Sequence, residues 1–258
     1  MIDRAMATRF ELTAFSAAAL YFELAVIRFT GAEVLYLGYF SNFILISSFV
    51  GLGLGFLSVR KQVVNEQLLP FTLLFLFALV LVSGFDADIL RNHFGLFFFG
   101  NISNRAGLPG ALLLAILFLA TVLLFLCIGR RIALAFSRLR PLPAYTWDIC
   151  GSLLGILLFS LHSNYATGPG TWVVTGSLLL MLGYLVSEDE KRLTSAGFIL
   201  LAALCVVVLL GSARTGTHAI WSPYQKLEVV RGSQGQSDII YANGIPHQFL
   251  HPASLAGE

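Results

Sequence analysis

Glu23 and Asp148 each lie well inside a stretch of the chain that is otherwise almost wholly apolar. Glu23 lies in residues 10–29, with Arg28 five positions further on, and Asp148 lies in residues 143–163. A charged carboxylate in such a stretch is costly unless it is paired, protonated or exposed to water. We therefore expect Glu23 to pair with Arg28 or with another polar group; a proton-carrying or substrate-binding role is the alternative.

Two pairs of glycines have the four-residue spacing that favours close helix packing. Gly51 and Gly55 form the first pair, and Gly151 and Gly155 form the second. A phosphate-binding loop needs its glycines between a strand and a helix, whereas both pairs lie within continuous apolar runs. We predict that each pair faces a neighbouring helix. Asn42, which opens the apolar run of the first pair, is a further polar candidate within the membrane.

The histidines and cysteines form no recognisable metal or haem motif. The five histidines are scattered, and only His247 and His251 have a four-residue spacing. The three cysteines lie in apolar runs and lack CxxC spacing. The sequence therefore predicts no metal site, no cofactor and no disulfide framework.

The overall composition is that of an integral membrane protein. Hydrophobic residues make up 57% of the chain and charged residues only 12%, about half the charged fraction of a soluble protein. A net charge of +2 is too small to indicate nucleic-acid binding. The lipid bilayer is the partner that this composition predicts.

The positions of the apolar runs predict an all-α polytopic membrane protein with about seven transmembrane helices and a short C-terminal β-hairpin. A bundle over residues 1–211 is followed by an extramembrane tail over residues 212–258. The predicted spans are residues 10–29, 42–59, 68–85, 111–129, 143–163, 171–186 and 196–211.

Two segments allow a second interpretation. The first span is predicted to remain as a helix, although small residues near 17–19 would also suit a cleaved signal peptide. Residues 96–99, an aromatic patch in the polar stretch 86–109, suit either a segment lying on the membrane surface or an ordinary loop.

The distribution of basic residues predicts the orientation. Loops on the N-terminal side hold ten of the sixteen basic residues, and the positive-inside rule places that side in the cytoplasm. These ten are Arg4, Arg9, Arg60, Lys61, Arg130, Arg131, Arg138, Arg140, Lys191 and Arg192. Seven spans then leave the tail outside, and we expect a multi-pass protein of a bacterial inner membrane.

The tail has the composition of a water-soluble segment. Residues 221–232 and 238–250 predict two strands joined in a hairpin, with Asn243-Gly244 as a second turn signal. Two strands alone are marginally stable in water. We therefore expect further chain, a partner or the membrane surface to support them.

The tail resembles the strands that open the catalytic part of spermidine synthases, the polyamine aminopropyltransferases. WSPYQKL at 221–227 is similar to the SxYQ strand of that family, and Asn243-Gly244 with Gln248 is similar to its following strand. The resemblance implies a substrate-binding role for Tyr224, Gln225 and Gln248.

The apolar part resembles the helical region of membrane-bound spermidine synthase-like proteins. The similar segments are ELAVIR at 23–28, YFSNFILISSFVGLGLG at 39–55 and YTWDICGSLLGILLF at 145–159. The family's glycine-rich turn, ribose-binding acid and catalytic aspartate have no counterparts here, and Asn243 replaces the usual aspartate. We therefore expect no aminopropyl transfer, and no catalytic residue, in this chain alone.

Three functions remain open at this point. The first is a membrane anchor or conduit for a spermidine synthase-like catalytic domain. The second is a small transporter or channel in which Glu23 and Asp148 handle a cation or a polyamine. The third is a non-catalytic subunit of a larger membrane complex. The resemblance would put the tail in the cytosol, where the nucleoside donor is made, but the charge distribution puts it on the opposite side.

Overall fold

In the part of the chain that the computed structural model describes, seven α-helices and a four-stranded antiparallel sheet make up the fold. The structure describes residues 4–34, 37, 42–60, 68–84, 110–187, 195–214, 218–230 and 238–250. The helices are α1 Arg4–Glu33, α2 Asn42–Leu57, α3 Leu68–Gly84, α4 Gly110–Arg138, α5 Pro141–Asn164, α6 Pro169–Val186 and α7 Ser195–Arg214. The strands are β1 His218–Trp221, β2 Lys226–Val230, β3 Asp238–Ala242 and β4 Ile245–Leu250.

Four of these helices are long and apolar enough to cross a membrane. They are α1, α4, α5 and α6, whereas α2, α3 and α7 contribute shorter apolar segments of 10–17 residues. The mostly helical fold with a small C-terminal sheet confirms the coarse prediction, and seven helices lie where apolar runs were found. By length and composition alone, four of the described helices qualify as membrane spans, and the predicted seven spans are not shown.

Helix α1 is the centre of the bundle and packs against α4, α5 and α6. It is 30 residues long, which corresponds to about 45 Å. Its buried face carries small and aromatic residues, and Phe15, Tyr21 and Phe22 are fully buried. Around this axis α2 packs along α4, and α3 packs against α4 and α7.

The fourth helix extends further than the sequence predicted. A basic loop was expected after residue 129, but α4 continues to Arg138. Arg130 and Arg131 are therefore helical and buried. Arginine is a good helix former, and the burial of Arg131 is stabilised by an acid from α1 that is described below.

The C-terminal sheet has four strands in the order β1-β2-β3-β4, so the expected two-stranded hairpin is wrong in strand number. The chain turns at residues 222–225, where Pro223 has no N–H to donate. The Ser222 hydroxyl accepts from the Gln225 N–H at 3.1 Å and closes this turn.

The second predicted turn joins β3 to β4. Asn243 and Gly244 both have positive φ, 49° and 77°, as the central residues of a type I′ turn require. Other predictions fall outside the described residues: the aromatic patch 96–99 within 86–109, the connection between the strands predicted at 221–232 and 238–250, and the loop that holds Lys191 and Arg192.

Candidate functional site

The sheet is attached to the helical bundle through Arg28, near the C-terminal end of α1. The Arg28 guanidinium donates hydrogen bonds to the Ser163 hydroxyl at the end of α5 and to the Ser222 carbonyl after β1. Its Cζ lies 4.9 Å from the ring centroid of Trp172 and 5.9 Å from that of Trp221. We call Arg28, Ser163, Trp172, Trp221 and Ser222 the clamp.

The two indole rings of the clamp pack directly on each other. Trp172, at the start of α6, and Trp221, at the end of β1, have ring centroids 4.9 Å apart in an edge-to-face arrangement. Trp172 is fully buried, and Phe29 of α1 also contacts Trp221. Such aromatic contacts, with a cation over the rings, stabilise the docked position of β1.

A second connection joins the first residue of β2 to the last residue of α1. The Lys226 ammonium donates to the Glu33 carboxylate at 2.7 Å and lies 2.9 Å from the Glu228 carboxylate. Burial opposes the charge on Lys226, but the two carboxylates outweigh this effect and raise the pKa of Lys226 above its ordinary value. The group is a stable cation at neutral pH.

The turn between β3 and β4 is tied to the same place. The Asn243 side-chain oxygen accepts from the Lys226 backbone N–H at 2.9 Å, and the Asn243 N–H donates to the Lys226 carbonyl at 2.9 Å. This pair of bonds fixes the turn beside the start of β2. The aspartate that the resembled family has at this position would supply a similar acceptor oxygen.

A cavity of about 170 Å³ lies between the end of α1 and the sheet. We call it the junction cavity. Its lining consists of Ile27, Arg28, Gly31, Ala32, Leu37, Trp221, Tyr224, Gln225, Lys226 and Asn243. The lining therefore combines apolar side chains with two cations and several hydrogen-bonding side chains.

The junction cavity contains two of the three residues that the resemblance assigned to substrate binding. Tyr224 and Gln225 both line it, although 92% of Tyr224 is exposed. Gln248 is an exposed residue of β4, pairs with Ile240 and is not part of the lining. The structure thus places Gln225 and Gln248 on different parts of the sheet.

No family model, no curated protein and no solved structure matches this chain.

The acids predicted from the sequence lie in the bundle, away from the junction cavity. The Ser48 hydroxyl of α2 donates to Glu23 at 2.5 Å, and the Ser16 hydroxyl of α1 donates to Asp148 at 2.6 Å. Glu23 is buried, Asp148 is half-buried and Asn42 is exposed at the start of α2. The two acids are held in separate places, each by one serine.

The expected pair between Glu23 and Arg28 does not form. Residues five apart point to different sides of a helix, and Arg28 turns to the clamp while Glu23 turns to α2. Glu23 instead accepts a hydrogen bond from another polar group, the Ser48 hydroxyl, which was the alternative. Arg28 therefore takes part in the clamp at the end of the bundle and does not pair with Glu23.

Both glycine pairs lie at helix interfaces. A Cβ at Gly151 would be 2.5 Å from the Thr13 carbonyl of α1, and Gly155 faces the backbone of Ala17. A Cβ at Gly51 would be 2.5 Å from the Val122 carbonyl of α4, and one at Gly55 would be 2.6 Å from the Leu126 carbonyl. In each pair the missing side chains allow two helix backbones to approach closely.

A buried ion pair at the other end of α1 was not predicted. Arg131 donates to Glu11 at 2.6 Å, and Arg138 lies 3.3 Å from the second oxygen of the same carboxylate. Glu11 and Arg131 each expose only 1%, and Ser187 accepts from Arg131 at 2.7 Å. An acid at residue 11 inside an apolar run was the available signal, but nothing local pointed to its partner.

The residues that line the junction cavity offer charged and hydrogen-bonding groups that could bind a ligand. Among all the described residues, no three His, Cys, Asp or Glu side chains lie close enough to hold a metal ion. The junction cavity instead combines a guanidinium, an ammonium, amides and an indole. It is the candidate site that the geometry supports best.

Proposed function

We propose that this chain is the integral membrane module of a spermidine synthase-like protein. In this proposal the helices anchor the protein, and β1–β4 correspond to the opening strands of the synthase part. The module is non-catalytic. Its partners are the lipid bilayer and a catalytic domain or other subunits of a membrane complex.

The clamp is the observation that carries this proposal. A flexible linker is enough to tether a domain to a membrane, yet here Arg28 holds Ser163 of the bundle and Ser222 of the tail together. Lys226 adds an ion pair with Glu33 of α1. Such a connection serves a protein that must hold its sheet in one fixed position, as an anchor for a catalytic domain would.

The direction of α1 supports the proposed orientation. The sheet contacts the C-terminal end of α1, whereas Arg131 and Arg138 contact Glu11 near its N-terminal end. Basic residues of α4 thus share one end of the bundle with the N-terminus, and the sheet occupies the other. We place the N-terminus in the cytoplasm and the sheet outside a bacterial inner membrane, with all seven helices crossing it.

A small transporter or channel for a cation or polyamine is the second candidate. The burial of Glu23 among helices favours it, since buried acids commonly mark ion pathways. The separation of the two acids weighs against it: Ser48 holds Glu23 and Ser16 holds Asp148. An anchor accounts for both the bundle and the clamped sheet.

Strand complementation tests the anchor function. The full chain in lipid nanodiscs is mixed with a soluble spermidine synthase from which the opening strands have been removed. We expect the nanodiscs to recruit that domain and to restore aminopropyl transfer to putrescine. The matched control is the same chain shortened after Arg214, which keeps the seven helices and lacks the sheet.

Two results would overturn the proposal. One is equal recruitment by the full chain and by the control, since the sheet would then contribute nothing. The other is turnover of decarboxylated S-adenosylmethionine by the purified chain without the added domain, because the module would then be an enzyme itself.

A further inference from the structure

The Arg28 guanidinium has more hydrogen-bonding capacity than its described partners use. A guanidinium carries five N–H donors, and Arg28 has two described acceptors, the Ser163 hydroxyl and the Ser222 carbonyl. Both acceptors are neutral. The Arg28 Nε is buried and meets no acceptor among the described residues. Among the described residues, no carboxylate balances the charge of Arg28.

The second cation of the junction cavity is already balanced. Lys226 forms ion pairs with Glu33 and Glu228, at 2.7 and 2.9 Å. These two carboxylates surround the ammonium and are not part of the cavity lining. The positive charge that faces the cavity without a described counter-charge is therefore that of Arg28.

The remaining lining suits a small polar group that has an apolar neighbour. Gln225 and Asn243 supply side-chain amides and Tyr224 a hydroxyl, while Ile27 and Leu37 supply apolar surface. A cavity of about 170 Å³ has room for several non-hydrogen atoms. An amine would meet the unbalanced charge of Arg28 here, so the cavity favours an anion over a polyamine.

We propose that the junction cavity binds an anionic phosphate or carboxylate group, whose oxygens accept hydrogen bonds from Arg28 and Gln225. Guanidinium groups bind such anions through charge-assisted hydrogen bonds. The anion comes either from a small soluble molecule or from a lipid headgroup at the end of the bundle. The proposed anchor function requires only the docked sheet, so the anion site is an addition to that function.

The test measures tryptophan fluorescence of the full chain in maltoside micelles. Trp147→Phe leaves Trp172 and Trp221, the two indoles beside Arg28, as the reporters. The protein is titrated at constant ionic strength with inorganic phosphate, acetate, short-chain phosphatidylglycerol and spermidine. We expect a saturable response to at least one of the three anions. Saturation by phosphate or acetate indicates a soluble ligand, and saturation by phosphatidylglycerol alone indicates a lipid headgroup.

Two glycine variants show whether the response comes from the cavity. Gly31 lines the cavity, and a Cβ added there meets nothing within 4 Å, so the side chain of Gly31→Leu starts in open space at the cavity. Gly53 is equally open but lies on α2, away from the lining, and Gly53→Leu is the control. We expect Gly31→Leu to weaken binding about tenfold or more and Gly53→Leu to bind like the parent protein.

Charge variants at Gln225 give an independent test that leaves the clamp intact. Gln225→Glu should weaken anion binding, and Gln225→Lys should strengthen it. Hydrogen exchange of β2 and β3 checks that the sheet remains docked in every variant. A released sheet would count against the anchor function, whereas a docked sheet with no anion response would overturn the anion site alone.

Three outcomes would refute the anion site. The first is the absence of a saturable response to any of the anions. The second is equal binding by the Gly31→Leu and Gly53→Leu variants. The third is a saturable response to spermidine that Gln225→Glu strengthens.

Discussion

Gly151→Ala tests how closely α1 and α5 must approach. A Cβ at this position would lie 2.5 Å from the Thr13 carbonyl oxygen and 2.9 Å from the Thr13 Cα. Both atoms belong to the backbone, so no side-chain rotation can relieve the contact. The helices would have to separate by about 0.9 Å to reach an ordinary contact of 3.4 Å.

The separation also affects the neighbouring hydrogen bond. Ser16 donates to Asp148 at 2.6 Å, one turn before Gly151 on α5, and the added distance would stretch this bond to the limit of hydrogen bonding. Overpacking costs about 1–3 kcal/mol, and the weakened bond about 1 kcal/mol. Replacing glycine by alanine within a helix returns about 1 kcal/mol. The expected net loss of stability is about 1–3 kcal/mol.

Gly53→Ala is the matched control, because a Cβ at Gly53 meets nothing within 4 Å. It should gain about 1 kcal/mol from helix propensity. Unfolding of both variants in mild detergent is followed by circular dichroism. If Gly151→Ala proves as stable as Gly53→Ala, the helices separate without cost, and the argument from close backbone approach is wrong.

Three further predictions concern the ends of α1. Glu11→Gln should lower stability by about 3 kcal/mol in detergent melts, because Arg131 loses its buried carboxylate. The double variant Glu11→Gln/Arg131→Met is the control. If it is no more stable than Glu11→Gln alone, the broken ion pair is not the cause of the lost stability. The pKa of Lys226 is raised above 10.5, so its contribution to docking is complete below about pH 10.4 and is lost as pH rises through the higher folded value. Tryptophan near-ultraviolet circular dichroism should report this alkaline release, and a Lys226→Met variant with the same transition would assign it to another group. With the native cysteines removed, Gln248→Cys should react with an impermeant maleimide in intact cells and Ser137→Cys should not, whereas the reverse pattern would contradict the proposed orientation.

Apolar run length was enough to locate the helices, because burial of an apolar segment without water requires the backbone to satisfy its own hydrogen bonds. It was a poor guide to helix ends. The predicted loop at Arg130 is helical because charged residues continue a helix readily when a partner balances them. Arg131 finds that partner 120 residues away, in Glu11, and no local pattern reports such a contact.

In the tail, too, turns had a signal in the local sequence, whereas the long-range contacts had none. The turn at Asn243-Gly244 was predictable, because few residue pairs adopt positive φ twice in succession. The turn at 222–225 also had a local signal in Pro223, although the stretch was interpreted as one strand. The clamp had no local signal: Arg28 was considered only as one possible partner of Glu23, its neighbour in sequence, while its partner Ser222 lies 194 residues further along.

That separation determines when the clamp can close. Helix α1 is made before the sheet, and Ser222 follows Arg28 by 194 residues. At about 5–20 residues per second the ribosome supplies Ser222 roughly 10–40 s after Arg28. Contacts of such long range form late in folding because the chain between them must first be ordered. Among the described elements, attachment of the sheet is therefore a late step, and it occurs on a bundle whose α1, α5 and α6 are already in place.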